Sequence, residues 1–521
     1  MSQGSEQRRA GDEVVSRKRA ALANTAFSGL QTIVAVVNGL VLVPVYLQYL
    51  DPAEYGTWLA TGNVLGWLTI IDPGVGDLAR QRVAMLYGAR RWDEACSVIW
   101  TGGVIVALMS IGMAALASMT AQPLVSVLDL SDPRLADDAA KALAIAGYGA
   151  ALAFFGAYLS GVIQSLQRTI WIGIVVVVGS VILPVVRLVM LANGSGMEAL
   201  AWGMVAQGVF VAGASVVLLA SRIRAIGLGF RFGFSQLGPL LNLTLFTSLQ
   251  RIASIAAINM RGILVTRYLG AETNFMCEVT RAPIEFARVF LDKPISAFTP
   301  AFAHLKGAGA IQQISEYLLR FASISLAALA LCIAGYVSLN GAFVELWLGP
   351  GYYLGDSLNA LIAIGVGIAV IMNLARGFLY AMGEIQHVSV VISLLAIGGV
   401  VSEYVGLRVL GLAGLLGGPI LLTTVFCFVG FPIRVVRNYL SPVARSQLLW
   451  HVVCPVAFAG GVAGISGLFL QRLTGAPSWG KLAMIAVFES GVFTLLSVLS
   501  SPLLRREWIA VQAWVRHRVW G

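Results

Sequence analysis

Glu278, Arg281, Glu285, Arg288 and Asp292 follow one another at spacings of three, four, three and four residues. On an α-helix this spacing lines all five along one face, each within reach of the next. The residues around them are mostly apolar: Val279, Ile284, Phe286, Val289, Phe290 and Leu291, with Ile295, Phe298 and Phe302 beyond. Such a segment has to turn its charges toward a protein interior or a water-filled cavity, because an ionised side chain facing hydrocarbon costs about 3 kcal/mol or more. The chemistry open to the stripe is ion pairing and the handling of a polar passenger. Each arginine has an acid three residues before it and another four residues after it. The face therefore compensates much of its own charge. We read it as a cavity wall, or a gate whose pairs rearrange, ahead of an anion clamp.

Other ionisable residues fall in or beside apolar runs: Asp72, Arg187, Arg251, Arg261, Arg376 and Glu403. The guanidinium fork makes paired, charge-assisted bonds to phosphate and carboxylate. Basic residues outnumber acidic ones in these runs, so the expected ligand is an anion. Arg251, Arg261 and Arg376 have no acid close in sequence. They are expected to hold the ligand, with Arg187 as a further candidate. Arg187 and Glu403 can instead reach the membrane interface from near the ends of their runs. Asp72 and Glu403 are the expected sites for a coupling proton or sodium ion. Thr244, Thr247, Ser248 and Ser254 share a helical arc with Arg251 and Arg261. That polar face suits either a vestibule or hydrogen bonding between packed helices.

Composition sets the elements that must position these residues. Of 521 residues, 58% are hydrophobic and 12% charged, with a mean hydropathy of +0.83. Soluble domains carry about 25% charged residues, so lipid is the solvent for most of this surface. The net charge of +10 is scattered between apolar runs. It marks helix ends and lacks the contiguity that nucleic acid requires, so no nucleic-acid partner is expected. Cys96, Cys277, Cys332, Cys427 and Cys454 form no C-x-x-C pair, and the four histidines are dispersed. Neither a metal site nor a disulfide framework is expected. Asp72-Pro73-Gly74-Val75-Gly76-Asp77 is a turn whose glycines are wrongly spaced for a phosphate loop or a dinucleotide fingerprint. No catalytic residue and no cofactor are expected. The loops are too short for a soluble catalytic domain of at least about 50 residues.

A spanning helix needs about 20 apolar residues, and that ruler gives about 14 spans. They fall at 25–50, 56–71, 95–119, 139–164, 171–192, 199–220, 242–267, 275–303, 315–339, 358–382, 386–409, 411–433, 449–471 and 482–501. With the N-terminus inside, about 21 lysines and arginines lie in inside segments and about 6 outside. Both ends are therefore expected in the cytoplasm. Tyr49-Leu50-Asp51 closes the first span and Tyr268-Leu269-Gly270 the seventh. Gly161 to Leu166 ends the fourth and Gly377 to Met382 the tenth. Both echoes are offset by about 220 residues, which points to two duplicated halves with a ligand site between them. The expected fold is an all-α polytopic membrane protein. A cytoplasmic tail occupies 1–24. Six-helix bundles at 25–220 and 242–438 are joined by a cytoplasmic linker at 221–241. Two additional helices and a cytoplasmic tail complete the chain at 439–521.

The first span and its loop read Asn38-Gly39, Val43-Pro44-Val45-Tyr46-Leu47, then Tyr49-Leu50-Asp51-Pro52-Ala53-Glu54-Tyr55-Gly56-Thr57-Trp58. This resembles the opening of bacterial polysaccharide exporters in the multidrug/oligosaccharidyl-lipid/polysaccharide superfamily, which include O-antigen flippases. Asp72-Pro73-Gly74-Val75-Gly76 is similar to that family's D-x-G-x-G turn, and Tyr268-Leu269-Gly270-Ala271-Glu272 to its loop after the seventh helix. The resemblance implies a V-shaped pair of six-helix bundles around a cavity, with two extra C-terminal helices. It implies flipping of an undecaprenyl-diphosphate-linked oligosaccharide across the bacterial inner membrane for surface polysaccharide and lipopolysaccharide synthesis. Polysaccharide polymerase and glycosyltransferases are the implied partners, besides membrane lipids. Family members often carry an acid near the outer end of the seventh helix; Asn259-Met260-Arg261 stands there instead. That disfavours a cation site on this helix. Two alternatives stay open. One is a cation-coupled multidrug exporter of the same superfamily. The other is a membrane glycosyltransferase or polymerase, against which the short outer loops speak.

Overall fold

The computed structural model describes residues 27–509 apart from 28, 35, 69–74, 167, 227–243 and 308–309. Among the described residues there are helices and turns and no strand. The chain divides into two compact units, Met1–Phe275 and Met276–Gly521. Asp72 and the expected tail at 1–24 lie outside the described residues, as does most of the expected linker.

The first unit holds α1 (Gly29–Val41), α2 (Pro52–Leu68), α3 (Val75–Gly88), α4 (Trp92–Ser126), α5 (Pro133–Ser165), α6 (Thr169–Ala192), α7 (Glu198–Ile226) and α8 (Thr244–Leu269). The start of α5 is fixed locally: Asp132 accepts a hydrogen bond from Arg134 N at 2.9 Å, and Pro133 occupies the first turn. Helix packing then relies on small residues. A Cβ on Gly149 would lie 2.8 Å from Met204 Cβ, and one on Gly208 2.7 Å from Leu152 Cβ. These two notches let α5 and α7 approach backbone to backbone. Val98, Ile163 and Ile172 fill the core beside Tyr158, whose hydroxyl donates to Ile99 O at 2.6 Å. Helix α8 packs on α2 within this unit.

Helix α9 (Ala271–Gly307) begins in the first unit, where Asn274 Nδ2 donates to Gly56 O at 3.0 Å. The rest of α9 belongs to the second unit, with α10 (Ile311–Leu348), α11 (Asp356–Ala381), α12 (Ile385–Val429), α13 (Phe431–Tyr439), α14 (Pro442–Leu448), α15 (Cys454–Thr474) and α16 (Trp479–Ser500). A π-helical turn at Leu449–Val453 joins α14 to α15. Helix α12 is 45 residues long but reverses at Leu410 and Gly411, where Gly411 takes φ +60° and ψ −139°. Gly406 meets Gly414, Ser402 meets Gly418, and Gly398 meets Leu422. These pairs are those of an antiparallel hairpin centred on residue 410. Its two arms are the expected spans at 386–409 and 411–433.

Nine helical stretches among the described residues are long and apolar enough to cross a membrane. Among the described residues, each expected span overlaps a helix. Ile111, Val217, Leu421, Ile465 and Val487 are each more than 60% exposed. Surfaces of this kind require hydrocarbon as their solvent. The chain is an all-α, polytopic membrane protein.

Candidate functional site

Helix α9 carries the charged stripe, and the second unit shows how it is held. One side of the helix is buried: Thr280, Ile284 and Phe302 are almost inaccessible, and Val279, Leu291 and Ile295 are buried beside them. The five charged side chains on the other side keep between 25% and 34% of their exposure. The charges thus flank the buried face and stay partly exposed, while Val289 and Phe290 are more exposed than any of them.

The charges form one continuous chain. Arg281 Nη2 lies 2.8 Å from Glu285 Oε1, its Nε donates to the same oxygen at 2.9 Å, and its Nη1 stands 3.7 Å from Glu278. Arg288 Nη1 is 3.2 Å from Glu285 Oε2, and its Nε is 3.5 Å from Asp292. Glu285 therefore bridges the two guanidinium groups. Glu403, on the first arm of α12, is 3% exposed and close enough to Arg281 to act on its charge. With Glu403 the cluster counts four carboxylates against two arginines, an acidic excess.

Thr280 anchors this helix to its neighbours. Its carbonyl accepts from Tyr336 Oη at 2.8 Å and from Asn340 Nδ2 at 2.9 Å. Its hydroxyl accepts from Leu354 N at 3.2 Å. Asn340 also donates to Asn359 Oδ1 at 2.8 Å, and Asn359 Nδ2 to Tyr336 O at 3.4 Å. Away from water, each such group would cost about 1–3 kcal/mol if left unmade. The network thus fixes α9 against α10 and α11 and sets which way the stripe faces.

The remaining predicted residues separate between the units. In the second unit, Arg376 on α11 is half-buried and donates to Asn373 Oδ1. Among the described residues it has no ion pair with a carboxylate. Beside it, a Cβ on Gly377 would fall 2.2 Å from Ile295 Cγ1, so α11 touches α9 one residue from Arg376 and three from Asp292. In the first unit, Arg187 Nε donates to Leu200 O at 2.9 Å, and its guanidinium lies 5.8 Å from the Trp58 ring centre. That arginine ties α6 to α7 and α2. Arg261 is half-buried on α8. Arg251 is helical, but its side chain lies outside the described residues. Among the described residues no group of three or more His, Cys, Asp or Glu is arranged to hold a metal ion.

Two features of the second unit have no counterpart among the expected site residues. The Thr280–Tyr336–Asn340–Asn359 network was signalled by two asparagines inside apolar runs. Glu489, an acid in the middle of α16, is 1% exposed.

At the edge of the second unit, Glu384 joins α11 to α12 and accepts from Tyr439 Oη at 2.6 Å and from Arg434 Nε. Burial works to raise its pKa, but the hydrogen bonds from Tyr439 and Arg434 outweigh it and hold the carboxyl below the usual range. This latch docks the amphipathic α13.

The fold is similar to those of several solved multi-pass all-helical membrane proteins. A family model, MatE, matches residues 61–189. A structure described as lipid II flippase MurJ in an inward closed conformation is similar with a TM-score of 0.68 and 11% identity, over 94% of this chain and 99% of that one. An inward-facing multidrug resistance MATE transporter of the MOP superfamily is similar with a TM-score of 0.63 and 14% identity, over 80% of this chain and 98% of that one. A MOP superfamily transporter from Pyrococcus furiosus, described as having a binding pocket of reverse polarity, gives a TM-score of 0.57 and 13% identity, over 81% and 95%. No curated protein matches the chain.

Proposed function

We propose that the protein is a flippase that moves an oligosaccharide carried on a lipid diphosphate across the bacterial inner membrane by alternating access. The observation that carries this reading is Arg376. It is a half-buried guanidinium within an apolar helix, held by Asn373 and without a carboxylate ion pair among the described residues. A cation so placed suits a diphosphate, which accepts the fork of an arginine in paired bonds. Arg251 and Arg261 of the first unit are candidate ligand cations in their own right, and the α9 stripe would form a wetted wall. Length supports the same reading. The multidrug transporter is matched over nearly all of its own chain yet leaves a fifth of this one unmatched, whereas the lipid II flippase leaves 6%.

A second reading has its own observation. Four carboxylates surround two arginines at the α9 stripe, and an acidic excess suits a coupling cation or an organic cation as cargo. This is the cation-coupled multidrug exporter. One experiment separates the two. Purified protein in liposomes should move a fluorescent lipid-diphosphate sugar between leaflets, and Arg376→Ala or Arg261→Ala should slow it at least tenfold, as expected when a charge-assisted pair worth about 1.5–3 kcal/mol is lost. Unchanged flipping in both variants would overturn the ligand assignment. Export of an organic cation without lipid flipping would favour the second reading.

A further inference from the structure

Glu489 is the eleventh residue of the 22 in α16, so about 15 Å of helix lies on either side of it. It is an acid at the middle of an apolar span, 1% exposed. It packs into a notch made by glycines. A Cβ on Gly467 of α15 would fall 1.5 Å from its Oε1, and one on Gly335 of α10 3.8 Å from its Oε2. Oε1 is buried and accepts no hydrogen bond. The polar neighbour is Ser338 of α10, one turn from Gly335, and its hydroxyl donates to Gly335 O at 3.2 Å.

Among the described residues Glu489 forms no ion pair. On α15 the nearest basic residue is Arg472, about 7 Å along the helix from Gly467. On α16 it is Lys481, whose Nζ donates to Thr474 O at 2.6 Å and Ala476 O at 2.9 Å. On α10, Arg320 is about 27 Å along the helix from Ser338 and pairs with Glu507. The other ionisable groups near this height on α10 are Cys332, Glu345 and Tyr336, and Tyr336 turns its hydroxyl to Thr280 O. A permanent negative charge here would be held in hydrocarbon without a counter-ion, at a cost of several kcal/mol.

A cavity of about 360 Å³ lies beside Ser338. Gln471, Arg472, Gly475 and Asp356 line it together with Ser338. Ser338 thus lines the cavity one turn from Gly335, the glycine that makes room for Glu489 Oε2.

We propose that Glu489 is a proton-binding site of the second unit, loaded from this cavity through Ser338. In the loading step a hydronium ion in the cavity gives a proton to Ser338 Oγ, which passes its own proton to the carboxylate. The products are one water and a neutral carboxyl, and release is the reverse. The site stands on geometry within the second unit and holds whatever the cargo is.

The test is infrared titration of the full-length protein reconstituted in lipid. From about pH 5 to about pH 9 the wild type should lose a protonated-carboxyl C=O band that Glu489→Gln lacks throughout. Ser338→Ala, a small change that leaves Glu489 in place, should displace the midpoint of that band by at least about half a pH unit. A titration identical in wild type and both variants overturns the proposal. If Glu489→Gln does not fold, an unmoved midpoint in Ser338→Ala overturns it alone.

Discussion

Arg281 and Glu285 offer a quantitative test of the charged stripe. At 2.8 Å, two unit charges attract by about 6 kcal/mol at an effective dielectric of 20 and by about 1.5 kcal/mol in water. The side chains keep 25% and 29% of their exposure, which places the pair between these limits, and lost hydration opposes the attraction. A coupling of about 2 kcal/mol follows, as for a charge-assisted hydrogen bond. The perturbation is a double-mutant cycle of Arg281→Ala, Glu285→Ala and both together, read by unfolding in detergent micelles. The singles should differ. Arg281→Ala leaves Glu278 and Glu403 without their shared cation and Glu285 with Arg288 alone. Glu285→Ala leaves Arg281 with Glu278 and Glu403, and Arg288 with Asp292. Arg281→Ala should therefore be the more damaging by at least about 1 kcal/mol, and adding Glu285→Ala to it should restore part of the loss. A coupling below about 0.5 kcal/mol, or equal single effects, would refute a mutually compensated stripe.

Further outcomes follow from the same geometry. Asn340→Leu should cost about 2–4 kcal/mol, because it strips a donor from Thr280 O and from Asn359 Oδ1 in a buried network; thermal unfolding checks it, and a loss under about 0.5 kcal/mol would contradict the anchoring role. Glu384→Gln should destabilise the protein by about 1 kcal/mol at neutral pH, a modest figure because Arg434 is 40% exposed. The pKa of Glu384 is depressed on folding, so its contribution is complete above the unfolded value of about 4.3 and fades as pH falls through the folded value. Melting curves of wild type and variant should accordingly converge in acid, and a gap that widens there would contradict the latch. Gly411→Ala should cost about 1–3 kcal/mol, because φ +60° with ψ −139° is a region open to glycine. An unchanged melting temperature would mean that the hairpin turns elsewhere.

Much of this architecture is legible in the chain because lipid imposes length and hydropathy on each crossing. The two arms of α12 were separable at residue 410 from their apolar lengths alone. The α9 stripe was legible for a similar reason: partners at three and four residues lie on one helix face, so Arg281 with Glu285 and Arg288 with Asp292 need no tertiary information. Contacts between helices were not legible. Nothing local to Glu403 says that it approaches Arg281 from more than 100 residues away. Thr280 looks like any small polar residue until Tyr336 and Asn340 converge on its carbonyl. Arg187 is a candidate ligand cation by its type, and its contacts to Leu200 and Trp58 come from residues that no periodicity links to it. Glu489 carried a visible signal, an acid at mid-span, but its meaning depends on Gly467 and Gly335 making room for it.

The central claim is tested most directly by following two cargoes in one preparation. Wild-type protein and Arg376→Ala, in liposomes of matched composition, are supplied with a lipid-diphosphate sugar and, separately, with a fluorescent organic cation. The account predicts leaflet exchange of the lipid by wild type, at least tenfold slower exchange by the variant, and no accumulation of the cation by either. Cation transport by wild type, with lipid exchange no faster than in protein-free liposomes, would contradict it.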